Sequence, residues 1–323
     1  MQILITGAFG FVGSHLAPYL VGKGHMCDAL DLADGHLPAY RRVYTWEHLA
    51  EIPWEQYDAV IHLAGKAHDL RNVAKPEVYT EINFALTKRL YEALAERVGT
   101  FLFFSSVKAV ADHLEHGQVL TEEATPDPKT PYGRSKQAAE AFLLAAGGTT
   151  RKLILRPAMI YGPGNKGNLN ALYHFASKPI PWPLAAFQNA RSFAYIGNVC
   201  AAVEALLTSP TVPEGIYHVA DDEALSVNAL ITLIAHSLGR KPHLWPLPKA
   251  LMTKVARLGT CLHLPLNSER LSKLTESYCV SNAKLKHALQ WEAMPHSARQ
   301  AFETTFHSFR DASYGHSAPL PHL

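Results

Sequence analysis

The sequence predicts an α/β fold: a doubly wound parallel sheet covered by helices on both faces, followed by a smaller C-terminal α/β domain. Three observations predict it. Short apolar, β-rich runs alternate with amphipathic helical segments through the first half, the pattern of parallel strands joined by crossover helices. A glycine-rich turn, TGAFGFVG at residues 6–13, joins the first such run to the first helical segment. After Pro157 the alternation gives way to stretches rich in Gly, Asn and Pro. The 323 residues suffice for two domains of roughly 150 residues each.

The elements follow in order. Residues 2–6 form the first strand, and residues 11–23 have helical spacing. Residues 25–32 and 59–64 (AVIHLA) are the next strands. Residues 77–97 predict one long helix, with Ile82, Leu86, Leu90 and Leu94 at i, i+4 steps. Residues 100–105 (TFLFFS) are a buried strand, 131–146 a helix and 152–156 another strand. Residues 162–190 are loops around one helix, 199–207 a helix and 215–220 (GIYHVA) a strand. Residues 226–238 are helical from a Ser226 cap. Residues 246–266 mix apolar residues with Lys249, Lys254 and Arg257. They are read two ways, as a helix capping a ligand pocket or as a surface resting on a membrane. Residues 311–323, rich in Ser, Gly, His and Pro, are expected to be frayed or disordered.

Composition excludes several classes. Apolar residues are 48% and charged residues 18%, so a large core is available and wholesale disorder is excluded. With 20 Gly and 21 Pro the chain is not collagen-like. A net charge of +2 provides no strong field for nucleic acid or an anionic membrane. The four cysteines, Cys27, Cys200, Cys261 and Cys279, are too scattered for a disulfide scaffold or a zinc site, and fit a reducing cytoplasm. No run of 18 apolar residues exists, so no transmembrane helix is predicted. The chain starts directly with a strand pattern, so no signal peptide is expected. His62, His68 and His113 lack a ligand spacing, so no metal is expected. His62 lies inside a strand and is read as a packed core histidine.

The turn at residues 6–13 carries the first chemical signal. Gly7 permits the tight turn, Gly10 lets backbone approach a pyrophosphate, and Gly13 allows close helix–strand packing; the helix N-terminus then supplies an anion site. Asp31, at the end of the second strand, is placed to bind both ribose hydroxyls of a dinucleotide and to repel a 2′-phosphate, which predicts NAD over NADP.

The second signal is Tyr132 and Lys136, a Y-x-x-x-K pair whose i, i+4 spacing puts both on one helix face. An ammonium near a phenol stabilises phenolate, so the tyrosine pKa is expected to fall toward neutrality. Such a tyrosine exchanges a proton with a sugar hydroxyl while hydride passes to nicotinamide. A strand ending in Ser105-Ser106 precedes the pair.

Together these motifs resemble the extended short-chain dehydrogenase/reductase, or NAD-dependent epimerase/dehydratase, family and its UDP-glucose 4-epimerase-like nucleotide-sugar branch. TGAFGFVG, DAVIHLAG, INFALTKRLYEAL, FFSSVKA, TPYGRSKQAAE, LRPAMIYGPGNKGN and RSFAYIGNV carry the resemblance, in order. It implies a Rossmann sheet with Gly7, Gly10, Phe11, Val12 and Gly13 along the NAD pyrophosphate and Asp31 on the adenosine ribose. Leu63, Ala64, Gly65 and Ser105 pack along the cofactor, and Pro157 and Ile160 border the nicotinamide. Ser106, Tyr132 and Lys136 are the implied catalytic set, with Tyr132 and Lys136 also on the cofactor and Ser106 on the sugar; Ser105 is the competing register for the serine. Asn83 matches a structural asparagine. Asn168, Leu169, Arg191 and Arg270 are the implied contacts to a nucleotide diphosphate.

The resemblance also implies a homodimer through the helices at 77–97 and 131–146. Residues 1–161, with about 191–220, form the NAD domain, and about 162–190 with 221–310 the sugar domain. Two departures stand out. Val107 and Lys108 occupy the positions where 4,6-dehydratases carry an acidic residue, so dehydratase chemistry is not expected. Residues 41–46 (RRVYTW) replace a Gly-Asp pair that contacts adenine in many relatives. The expected activity is 4-epimerisation of a nucleotide sugar. The alternatives are a 4-keto-6-deoxy-sugar nucleotide reductase, the same chemistry on a polyprenyl-diphosphate sugar, and a non-catalytic NAD-binding regulator.

Overall fold

A computed structural model describes residues 1–32, 35–66, 75–115, 117–165, 167–262, 264 and 266–314. Its centre is a sheet of seven strands: β1 (Gln2–Thr6), β2 (Met26–Asp31), β3 (Tyr40–Thr45), β4 (Ala59–His62), β5 (Thr100–Phe104), β6 (Arg151–Pro157) and β7 (Gly215–Val219). They lie in the order β7-β6-β5-β4-β1-β2-β3, and every pairing is parallel. Strand order reverses between β1 and β4, and ligands in open parallel sheets bind outside the strand C-termini at such a switch point.

The central strands are apolar on both faces because both faces are covered. Ile3 and Ile5 join one core with Leu102, Leu153 and Leu155; Leu4, between them, joins the other with Val60, Phe101, Phe103 and Ile154. The helices are α1 (Phe11–Gly22), α2 (Pro76–Tyr79 and Leu86–Leu94, joined by a π-helical turn over Thr80–Ala85), α3 (Pro131–Ala145), α4 (Asn168–Ala176) and α5 (Ile196–Thr208). They continue with α6 (Val227–Ser237), α7 (Lys249–Cys261), α8 (Ser268–Thr275), α9 (Ala283–Leu289) and α10 (Ala298–Tyr314). Helices α1 and α5 pack together on the first core, while α2 and α3 cover the second. A third, smaller core joins Trp182, Leu184, Val227, Ile231, Met252, Ala256 and Leu271.

One local expectation is corrected, and two further segments take definite places. The helix expected over 77–97 is not one regular helix: the π turn resets its face, so that Asn83, Thr87, Leu90, Tyr91 and Leu94 are buried while Ile82 is only half-buried. Residues 41–46 lie in β3 and the turn after it, an edge strand whose charged sequence hides its pairing with β2. Helix α10 extends to Tyr314, and its Phe302 stacks on Tyr161 with ring centroids 3.8 Å apart. Residues 315–323 lie outside the described residues, as do His68 and Lys166.

Candidate active site

The sequence-predicted residues of the first half converge on the C-terminal edge of the sheet. Gly7 takes the left-handed φ of +65°, and a Cβ there would sit 2.7 Å from the Ala64 nitrogen. At Gly13 a Cβ would meet the Ala8 carbonyl oxygen at 2.3 Å, so α1 seats directly on the turn. Gly10 differs: it is exposed, and its absent side chain faces only the Gly7 carbonyl. Phe11 and Val12, both half-buried, open α1, whose first turn carries no acidic residue. Gly10, Phe11, Ser14 and His15 form one wall of a cavity of about 360 Å³, with Pro163, Gly164 and Asn165 opposite. An uncovered helix N-terminus facing a cavity is suited to a pyrophosphate. The Asp31 carboxylate stands beside this turn and accepts from the Phe9 backbone at 3.0 Å and from Leu32 at 2.8 Å. Exposed backbone at Gly10, the cavity and Asp31 together fit a dinucleotide.

Sequence reasoning missed what braces this turn. The buried Tyr40 hydroxyl donates to the carbonyls of Ala8 (3.0 Å) and Gly13 (3.2 Å). A lone tyrosine among polar residues gives no local signal of such a role. His62 is the buried core histidine expected, and its hydrogen bonds can be assigned. Thr87 Oγ1 donates to the Asn83 carbonyl, so it accepts from His62 Nε2 at 2.9 Å. His62 Nδ1 then accepts from Thr6 Oγ1 at 2.6 Å, and Thr6 Oγ1 accepts from the Ala64 N–H at 3.1 Å. Burial, reinforced by the Lys136 charge, lowers the His62 pKa to about 3, so the ring stays neutral.

Through this chain the segment Leu63–Ala64–Gly65 is tied to β1 and to the π turn. The buried Asn83 amide pins the same segment: Oδ1 accepts from the Lys66 N–H at 2.8 Å, while Nδ2 donates to the Lys66 carbonyl and to Ser135 Oγ on α3. A Cβ at Gly65 would lie 2.9 Å from Asn83 Oδ1 and 3.2 Å from Lys136 Nζ. The strand end, the asparagine and the lysine therefore close on one point, and single-turn π segments recur at functional sites.

Helix α3 begins at Thr130, whose side chain accepts from the Gly133 N–H. Asp112 anchors this start: burial pushes its carboxyl up, but hydrogen bonds from the Lys129 and Thr130 backbones and the Thr130 hydroxyl outweigh that and hold it low. A Cβ at Gly133 would strike the Lys108 carbonyl at 2.4 Å, so glycine lets α3 close on the loop after β5. Tyr132, Ser106 and Lys136 meet at that junction. The Tyr132 phenol hydrogen-bonds the Ser106 side chain, which also accepts from the Lys108 N–H at 3.2 Å. Lys136 Nζ donates to the Phe104 carbonyl at 2.8 Å and lies 4.7 Å from the Phe103 ring centroid.

One electrostatic expectation is corrected here. Burial raises the Tyr132 pKa above its ordinary value, and the Ser106 hydrogen bond only partly offsets it. Lys136 directs its hydrogen bond to the Phe104 carbonyl and does not depress the phenol. The lysine is itself lowered to about 8 by burial, with the Glu140 carboxylate one turn along α3 opposing that fall.

Glu140 was not foreseen. Its carboxylate forms a forked ion pair with Arg156 on β6, Nε to Oε1 at 2.8 Å and Nη2 to Oε2 at 2.5 Å, both side chains at most 3% exposed. In strand register Arg156 is flanked by His218 and by Ser105, and Ser105 Oγ, Arg156 Nη1 and both His218 ring nitrogens have no hydrogen-bond partner among the described residues. Ser106 touches Tyr132 and Ser105 does not, so Ser106 holds the position beside the phenol.

The second half converges less completely. Pro157 ends β6 buried, and Ile160 is half-buried on the short strand Met159–Tyr161. Asn168 is exposed at the start of α4, but Leu169 is buried and packs into the main core. Arg191 Nη1 donates to the Lys273 carbonyl on α8, and Arg270 is exposed on the same helix. Val107 is buried, and the neighbouring Lys108 ammonium lies 4.0 Å from the Tyr278 ring centroid, its pKa lowered to about 8 by burial.

Comparison with known proteins gives a consistent result. Residues 3–220 match the sequence model of the NAD dependent epimerase/dehydratase family. A UDP-glucose 4-epimerase of Vibrio cholerae is 28% identical, over 97% of this chain and 96% of that protein. An N-acetyl-alpha-D-glucosaminyl-diphospho-ditrans,octacis-undecaprenol 4-epimerase of Escherichia coli O157:H7 is 27% identical, over 88% of this chain and 84% of its own length. The UDP-glucose 4-epimerase of Thermus thermophilus, solved in complex with NAD, superposes with a TM-score of 0.73 at 25% identity, covering 97% of this chain and 100% of that one.

Proposed function

The chain belongs to the NAD dependent epimerase/dehydratase family, and from that premise we propose that it is an NAD-dependent 4-epimerase acting on a UDP-linked hexose or N-acetylhexosamine. The observation that carries the reading is the junction of Ser106, Tyr132 and Lys136 beside the strand edge that Gly65 and Asn83 define. Gly7, Gly10, Phe11, Val12 and Gly13 would hold the NAD pyrophosphate, Asp31 its adenosine ribose, and Leu63–Ala64–Gly65, Ser105, Pro157 and Ile160 its nicotinamide half. NAD supplies a reversible hydride acceptor for sugar C4.

The chain's own residues do the rest. Tyr132 exchanges a proton with the 4-hydroxyl at its phenol oxygen. Ser106 holds that hydroxyl while remaining bonded to the phenol. Lys136, cationic below about pH 8 and anchored on the Phe104 carbonyl beside Tyr132, would hold the nicotinamide ribose. Arg191 and Arg270 grip the diphosphate.

We place the sugar-binding unit at about 162–190 and 221–310, with 191–220 returning to the NAD unit 1–161. The working form is a homodimer through α2 and α3, in the cytoplasm, where its cysteines stay reduced. Among the described residues no helix is long and apolar enough to cross a membrane.

The test is the nucleotide released from freshly purified, denatured protein, paired with turnover of UDP-glucose and UDP-N-acetylglucosamine. Stoichiometric NAD and equilibration of either sugar at C4 are expected. A protein that arrives empty, binds NAD(P)H reversibly and reduces only 4-keto sugars would replace this reading with the reductase.

A further inference from the structure

Helix α7 (Lys249–Cys261) carries an apolar face that nothing among the described residues covers. At about 100° per residue, Met252, Ala256 and Gly259 fall on one side of the helix and are buried, where they meet the third core and α8. Leu251, Val255, Leu258 and, at the C-cap, Leu262 form a second stripe beside it. These four point outward, from 42% exposed at Val255 to 59% at Leu258. Trp245 ahead of the helix and Leu264 beyond it extend the apolar surface, each about half exposed. A soluble surface leaves single apolar side chains outside but not a run of six along one segment.

Charge supplies the second observation. From Ala224 to Ser268 there is no Asp or Glu, whereas the same span holds five basic residues, Arg240, Lys241, Lys249, Lys254 and Arg257. Against a whole-chain net charge of +2, this is a local concentration of cations. Lys254 and Arg257 fall on the flank of the exposed stripe away from the buried side. An apolar stripe with an aromatic at its edge, flanked by cations and free of acids, is the chemistry that inserts into the headgroup boundary of an anionic bilayer.

We propose that this face is a docking surface by which the protein rests reversibly on an anionic phospholipid membrane. The sequence leaves the 246–266 segment open between a pocket cap and a membrane surface; in the fold one side of α7 packs on the third core and the other faces outward. Helix α8 lies between α7 and Arg191, and it carries Arg270. The docked face is thus one helix away from the arginines assigned to the diphosphate, so docking would hold the nucleotide-sugar site close to the bilayer surface. That last step rests on the proposed function; the docking itself does not.

The experiment is co-sedimentation of the full chain with phosphatidylcholine vesicles and with vesicles containing phosphatidylglycerol, without substrate, alongside UDP-sugar turnover in free solution. Binding to the anionic vesicles, weakening with salt, is expected. The Lys254→Gln/Arg257→Gln double variant should bind about 25-fold more weakly, at roughly fivefold per cation. Leu251→Glu/Leu258→Glu should abolish binding, with an unchanged circular-dichroism melt and unchanged turnover in free solution. Three results would overturn the proposal: no preference for anionic vesicles, undiminished binding by the glutamate variant, or a wild-type dimer that the same variant dissociates while vesicles bind neither. Loss of turnover with docking intact would instead count against the epimerase reading alone.

Discussion

Replacing Glu140 by glutamine removes one negative charge from a place where two positive charges depend on it. The Glu140 and Arg156 side chains are 3% and 2% exposed, so the variant leaves a guanidinium buried without a counter-charge. Breaking a buried pair in this way costs about 3–5 kcal/mol, a large part of the roughly 5–15 kcal/mol that holds a typical domain folded. The loss should show as a lower urea midpoint at unchanged slope. Removing both partners, as Glu140→Leu/Arg156→Met, should recover most of it, because hydrophobic residues of similar volume replace such pairs at little net cost.

The second effect is on Lys136. Burial lowers this lysine to about 8 and Glu140 opposes the fall, so without the carboxylate the pKa drops further. The cation needed beside Tyr132 is then lost at lower pH, and the alkaline limb of kcat moves toward neutrality in both variants. The assay is the pH profile of sugar turnover beside the urea titrations. A double variant as unstable as Glu140→Gln would refute the argument from uncompensated charge, and an unmoved alkaline limb would refute the coupling to Lys136.

Ser106→Ala removes the hydroxyl bonded to the Tyr132 phenol and should lower kcat about 10²–10³-fold, as removal of one preorganised donor does; Ser105→Ala should cost under about tenfold, and the reverse order would exchange their roles. Asp31→Ser should weaken NAD by about tenfold, one lost charge-assisted hydrogen bond, and narrow its advantage over NADP; a wild type that binds NADP as tightly as NAD in a fluorescence titration would contradict the ribose assignment. His62 titrates at about 3 in the folded chain against 6.5 in the free side chain. The unfolded chain therefore takes up the extra proton as pH falls below 6.5, and stability drops by about 2–3 kcal/mol at about pH 4.5 from this group; His62→Gln should lose that part of the acid sensitivity, and equal pH slopes in the two proteins would exclude it.

Much of this molecule is written in short stretches of sequence. Alternating apolar runs are enough to predict a covered parallel sheet, because a strand buried on both faces cannot carry polar residues in its middle without partners for them. The turn at Gly7, Gly10 and Gly13 is legible because a positive φ, a bare backbone and a close helix approach each require glycine at a set spacing. Tyr132 and Lys136 are legible because one helical turn puts them on one face. All of these are local relations, within a few residues or within one element.

What only the tertiary structure decided are relations between elements. The edge strand β3 was missed because its charged residues follow from lying at the rim, which no local period reports. The π turn that buries Asn83 follows from packing against Ser135 and Lys66, not from the apolar spacing of its own helix. The Glu140–Arg156 pair joins a helix to a strand 16 residues later, and neither residue type signals burial on its own. The Tyr132 pKa goes the opposite way from the motif because spacing brings the ammonium near but says nothing of depth; in the folded chain desolvation is the largest influence on the phenol, and the lysine's hydrogen bond goes to the Phe104 carbonyl. Residue type and spacing set which groups can meet. How far they are buried, and against what, sets their charge, and that is known only once distant strands and helices have closed around them.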